Sequence, residues 1–156
     1  MIQRTEIQTA VEAQLLSLFP ALKGHLYRNR VPVDFARPAA MTLLQSDTME
    51  CRSHDTVVRS ITALVTLFCP VDEYHNSDVD TLSAMSDAVL EHFSAPGMEV
   101  GDRWLDIGTV QANVQLDYAE VRVPLSWDDD RKTSKDAAAL METLHLAVAV
   151  DTTMEE

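Results

Sequence analysis

The sequence is poor in glycine and cysteine and has no long apolar run. None of its four glycines lies in a phosphate-binding loop, and its two cysteines do not predict a disulfide without a secretory leader. No segment approaches the ~18 apolar residues of a membrane span. The N-terminus lacks the basic-then-apolar build of a signal peptide. We therefore expect a protein that is made and used in the cytoplasm, or in a particle assembled there.

The histidines and cysteines are not arranged as a catalytic site or as a joint metal site. The five histidines are scattered, with no Gly-x-Ser-x-Gly or His-Glu-x-x-His motif near them. Cys51-x-x-His54 and Cys69-x5-His75 offer zinc-type ligands, but they flank a predicted strand from Val57 to Cys69. At about 3.3 Å per residue, that strand separates the pairs by roughly 40 Å. We predict no enzyme, no cofactor and no metal site.

The net charge of −13 is unevenly distributed along the chain. Residues 1–37 hold five basic and three acidic side chains, a local balance of +2, so the remainder carries −15. Such an acidic surface repels phosphate and disfavours sequence-directed nucleic-acid binding. A solvated acidic surface is one interpretation; the opposite local charges also permit head-to-tail contacts between copies.

Hydrophobic periodicity predicts an α+β fold. A first helix is expected from Thr5, where Thr5-x-x-Gln8 has the form of a capping box, to Phe19-Pro20. The remaining predicted elements are two strands at 39–48 and 57–69, a helix with an apolar stripe from Val79 to Phe93, a hairpin at 109–117 and 121–127, and a third helix from Ser134. We expect an antiparallel sheet of about four long strands with helices packed on one face, plus a C-terminal helix. Residues 1–150 should form one domain, and residues 151–156 should fray.

Aromatic and basic side chains interleave in the segment before the first long strand. Tyr27, Arg28, Arg30, Phe35 and Arg37 could stack on bases and pair with phosphates, form a contact with another subunit, or pack within the chain. The overall negative charge disfavours nucleic acid. We therefore take these five residues as a candidate subunit or tube interface, and expect charge reversal at Arg28, Arg30 and Arg37 to impair assembly while leaving the fold of the monomer intact.

The element order and the Tyr27…Val31-Pro32…Phe35-x-Arg37-Pro38 loop resemble those of bacteriophage tail-terminator and tail-completion proteins over residues 4 to 127. The resemblance implies a homo-oligomeric ring, most often a hexamer, in the virion tail. It would cap the head-proximal end of the tail tube, stop tube polymerisation and join the tail to the head or neck connector. DNA would pass through the lumen without specific binding. Two alternatives remain open: another neck, connector or tail-tube component, and a small-ligand-binding α+β domain with a pocket between sheet and helices.

Overall fold

The computed structural model describes residues 1–131. The elements in chain order are α1 (Arg4–Leu18), a short 3-10 turn (Pro20–Leu22), β1 (Leu26–Arg28), β2 (Ala39–Cys51), β3 (Thr56–Phe68), α2 (Val79–His92), β4 (Gly97–Val100), β5 (Arg103–Ile107), β6 (Gln111–Val114) and β7 (Ala119–Asp130). The predicted third helix from Ser134 and the predicted frayed tail at 151–156 lie outside the described residues.

The sheet differs from the predicted one. It has seven strands in the order β1-β2-β3-β7-β5-β4, and β6 also pairs with β7. Because β1 runs parallel to β2 while the other pairs are antiparallel, the sheet is mixed. The prediction of an antiparallel sheet of about four long strands is therefore wrong. The error comes from short strands, since β1, β4 and β5 have three, four and five residues and carry little periodic pattern.

Helix α1 joins the two ends of the sheet. It contacts β2 near one end of the strand order and β4 at the other, so the sheet curls around it. Ile7, Val11 and Leu15 recur at helical spacing and are fully buried. The helix begins at Arg4, and the carboxylate of Glu6 accepts from the Gln3 N–H at 2.8 Å. The predicted start at Thr5 is thus wrong by one residue, whereas the predicted end before Phe19-Pro20 is confirmed.

Strands β2, β3 and β7 form the long centre of the sheet. β2 pairs with β3 from Ala39↔Phe68 to Cys51↔Val57, with a bulge between Gln45 and Thr48. Apolar residues recur at every second position of β3, as the sequence pattern predicts, and this face from Val57 to Leu67 is buried. Arg59 is the one charged residue on the face and is also buried, at 7% exposure.

Strands β5 and β6 both pair with β7, and the sheet is interrupted between them. β5 pairs with β7 at Ile107↔Leu125, and β6 pairs with β7 from Gln111↔Arg122 to Val114↔Ala119. The predicted nine-residue strand at 109–117 is therefore only four residues long. Pro124 lies at this break: its carbonyl accepts from the Gly108 N–H at 2.8 Å, on the side where β5 has ended. Pro124 has no N–H to donate, and it lies between the β7 residues that pair with β5 and those that pair with β6. A proline inside a strand pattern predicts an edge position or a bulge, but β7 is paired on both sides and its register with β3 is continuous, so that prediction is wrong.

Candidate interface at the loop end

Three loops meet at one end of the sheet. Residues 29–38 lead into β2, residues 70–78 follow β3, and residues 115–118 precede β7; Ala39 pairs with Phe68, and Leu67 pairs with Ala119. Adjacent strands therefore bring segments that are far apart in sequence to the same place. We call these three loops together the loop end.

Aromatic rings pack from one loop to the next across the loop end. Phe35 contacts Tyr27 edge-on at 6.3 Å between ring centroids and contacts Phe68 at 4.8 Å. Phe68 in turn lies 6.3 Å from Tyr118. Two of the predicted interface residues, Tyr27 and Phe35, are thus half-buried members of an intramolecular cluster. Aromatic pairs of this kind add about 0.5–1.5 kcal/mol each beyond the area they bury.

Arg37 connects all three loops. Its guanidinium carbon lies 5.2 Å from the Phe35 ring centroid and 5.3 Å from that of Phe68, within the range of cation–π attraction. Its Nη1 donates to the Ser77 hydroxyl at 3.0 Å and to the Asp117 carbonyl at 3.3 Å. The Ser77 hydroxyl also donates to the Asp117 carbonyl, at 3.4 Å. A side chain proposed from the sequence as a contact to another molecule therefore also holds the loops together.

Arg28 is paired with α1. Its Nε and Nη2 donate to the two carboxylate oxygens of Glu12, at 2.8 and 2.7 Å, and Nη2 also donates to the Thr9 hydroxyl at 2.9 Å. The hydrogen bond to Glu12 raises the pKa of Arg28 above its ordinary value. The two-pronged geometry fixes β1 against the helix.

Of the three arginines in the candidate interface, Arg30 alone has a guanidinium for which the described residues 1–131 provide no hydrogen bond or ion pair, and it is exposed. Because Arg28 and Arg37 make intramolecular contacts, reversing all three charges would disturb the fold as well as any interface. The interface assignment of the five residues remains a prediction.

The loop end is acidic, although the first 37 residues are net basic. Its three loops contain five carboxylates and two arginines, a formal net charge of −3 with histidine neutral. The carboxylates come mostly from the later loops, at Asp72, Glu73, Asp78 and Asp117. The sequence-based picture of a basic contact segment therefore does not hold for the assembled surface, because folding places acidic loops beside it.

The most exposed large hydrophobic side chains also lie here. Val33 is 97% exposed, Leu116 79% and Tyr74 76%, one on each loop. A half-open groove of about 640 Å³ lies between the first two loops and is lined by Val33, Phe35, Pro70, Val71, Arg37 and His75, among others. The groove is at the end of the sheet, whereas the ligand-binding alternative expected a pocket between sheet and helices.

A buried ionic cluster lies on the same strands, toward the opposite end of the sheet. The Arg59 guanidinium lies over the Trp127 ring at 5.1 Å, and its Nη2 donates to both carboxylate oxygens of Asp47, at 3.1 and 3.2 Å. Its Nη1 lies 3.9 Å from the carboxylate of Asp129, which is fully buried. Arg59 Nε is buried and has no hydrogen-bond partner in the described chain. The sequence indicated this cluster only through the apolar alternation that Arg59 interrupts.

Burial alone would raise the pKa of Asp129. Hydrogen bonds to the charged form outweigh that effect: the Asp130 N–H donates at 2.9 Å and the Trp127 Nε1–H at 3.4 Å. The amino group of Met1 lies 3.5 Å away and acts in the same direction. The net result is a pKa of Asp129 below its ordinary value.

Metal-binding geometry and known relatives add no further assignment. Residues 1–131 contain no group of three or more His, Cys, Asp or Glu side chains placed to hold a metal ion. No helix in the same range is long and apolar enough to cross a membrane. No protein-family model matches the chain, and no curated protein matches its sequence.

Proposed function

We propose that this protein is a structural subunit of a bacteriophage tail, a terminator that forms a ring at the head-proximal end of the tail tube. The ring would end tube polymerisation and join the tail to the head or neck. The observation that carries the proposal is the loop end, a rigid surface with an exposed hydrophobic side chain on each of three loops. Large exposed apolar side chains on loops that internal contacts hold in place are typical of protein–protein contacts.

The resemblance in the Tyr27–Pro38 loop and the element order also support this proposal. A helix, the Pro-containing loop, a long hairpin, a second helix and a final pair of strands follow one another in that order in residues 4–130, with β1, β4 and β5 added. The candidate interface residues belong to this loop or to the strand before it.

A ring also needs a contact between copies, and one edge of the long hairpin is available for it. β1 covers only residues 40–42 of β2, so residues 45–51 have no strand beside them on that edge within residues 1–131. Unpaired edges of this kind can add a strand from a neighbour. The bulge after Gln45 and the exposed carboxylate of Glu50 limit which strands can dock there.

The test is the mass and shape of the purified protein, alone and with preformed tail tubes. We expect closed rings, with a mass of six times 17.4 kDa for a hexamer, in light scattering and negative-stain images. Added to growing tubes, the protein should bind one end and stop elongation. A tube component would instead polymerise without limit. Protein that remains monomeric at high concentration and leaves tube length unchanged would overturn the proposal.

A further inference from the structure

We infer that the loop end docks a different protein, whose contact face combines apolar side chains with lysine or arginine. This inference rests on the proposed function, in which that partner is the tube or neck protein, and it defines the chemistry of the contact. The charge distribution along the sequence permitted the opposite polarity, a basic segment that meets an acidic neighbour.

The apolar part of the surface comes from Val33, Tyr74 and Leu116. Single exposed hydrophobic residues are ordinary on protein surfaces and need no explanation. Here, however, the three most exposed large hydrophobic side chains among residues 1–131 all lie at one end of the sheet, at 76–97% exposure. The other exposed large hydrophobics reach at most 56%. Covering these three side chains would remove apolar surface that the fold itself leaves in water.

The charge of the loop end selects the kind of partner. Each of these hydrophobic residues is followed or preceded in the chain by an exposed carboxylate, at Asp34, Glu73 and Asp117, and Asp72 is also exposed; Arg30 is the one exposed Lys or Arg in these loops. A second copy of this chain, with a net charge of −13, would bring like charges together. Nucleic acid would be repelled for the same reason. A partner face that is basic and has apolar residues at its centre complements both the charge of the loop end and its exposed hydrophobic side chains.

The surface is also held in place before any partner binds. Arg37 bonds to two loops and stacks on the rings of Phe35 and Phe68, so the three loops are positioned by one internal side chain. Docking on such a surface costs little ordering entropy, which favours binding. The hydrophobic side chains can therefore act together, although they come from distant parts of the sequence.

A pair of short amphipathic helical peptides tests this inference. One peptide consists of leucine and lysine, and its twin has glutamate in place of each lysine. Binding is measured by calorimetry at low and moderate salt, and the contact is mapped by amide chemical shifts of the isotope-labelled protein. We expect the lysine peptide to bind, more weakly as salt rises, with the shifted amides concentrated in residues 30–36, 72–76 and 115–118. The glutamate peptide should not bind.

Matched variants separate a specific surface from general attraction to an acidic protein. The double variant Val33→Ser/Leu116→Ser should weaken lysine-peptide binding by about tenfold or more, as truncation of interface anchors does. Met49→Ser, at an exposed hydrophobic on the long hairpin, should leave binding unchanged. Asp34→Lys/Glu73→Lys should also weaken binding, whereas Glu50→Lys/Glu91→Lys, the same charge change elsewhere, should weaken it much less.

The variant Arg30→Glu distinguishes a loop end that binds a basic partner from one that binds an acidic partner. A loop end that accepts a basic partner should bind the lysine peptide as well as before or more tightly after this change, whereas a basic contact would lose affinity for its acidic partner.

Three results would overturn the inference: chemical-shift changes spread over the whole surface, equal losses of affinity in the matched variants, or self-association through the loop end. Ring formation is measured separately, so rings without loop-end binding refute this inference alone, and loop-end binding without rings or tube capping refutes the proposed function alone.

Discussion

Replacing Arg59 by methionine should destabilise the sheet more than the loss of a surface ion pair does. Methionine keeps much of the arginine stem against Trp127 but removes the guanidinium that lies between Asp129 and Asp47. The carboxylate of Asp129 is fully buried and cannot gain water in exchange. The Met1 amino group and Arg103 also lie within 4 Å of the Asp129 carboxylate, so that charge keeps two partners and we expect a loss of about 1–3 kcal/mol.

The assay is equilibrium unfolding in urea, with a control at the turn between β2 and β3. Arg52 pairs with Asp128 at 2.5 Å, but both side chains are more than half exposed, so Arg52→Met should cost less than about 1 kcal/mol. The losses from Arg59→Met and Asp129→Asn should be non-additive, because both changes remove the same contact between guanidinium and carboxylate. If Arg59→Met costs no more than Arg52→Met, or if the double variant loses the sum of the two separate losses, the cluster does not act as a buried charge network.

Three other predictions concern pH, packing and the loop end. The pKa of Asp129 is lowered in the folded state, so its charged form stabilises the fold. This contribution to the free energy of unfolding is complete above the unfolded pKa of about 3.9 and is lost as the pH falls through the folded pKa. The urea midpoint should therefore fall more steeply below about pH 4 in the wild type than in Asp129→Asn. Gly97→Ala would place a methyl group 2.6 Å from the Trp104 ring and against the Leu105 carbonyl, so we expect a loss of about 1–3 kcal/mol in thermal unfolding and an altered near-ultraviolet spectrum. Arg37→Ala should speed amide hydrogen exchange in residues 70–77 and 115–118 while leaving the far half of the β2–β3 hairpin unchanged.

Strong local patterns made the long elements predictable. Alternation in β3 and β7, and the helical stripes of α1 and α2, place these elements close to their observed bounds. The hairpin of β4 and β5 was missed. Gly101-Asp102 between short alternating runs was a turn signal that could have found it, and Gly101 adopts a positive φ of 62°. Each strand is too short for periodicity to be decisive.

The candidate site was harder to predict, because its properties arise from contacts across long sequence separations. The sequence identified Arg28 and Arg37 by type but could not show that Glu12 pairs with the first or that Asp117 lies beside the second. A charge count along the sequence considers only residues that are neighbours in the chain. The charge of a surface depends instead on which segments the strand order of the sheet brings together. Exposure of Val33, Tyr74 and Leu116 likewise depends on which side chains the other loops leave uncovered.

The contact made by Arg37 also determines when a partner can be recognised. Val33 and Leu116 are separated by most of the described chain and come to the same end only after β2, β3 and β7 have paired. No excised peptide, and no nascent chain that has not yet reached Asp117, would present the complete surface. If the loop end docks a partner as inferred above, competence to dock is acquired together with the folded state, and incompletely folded copies would not bind that partner.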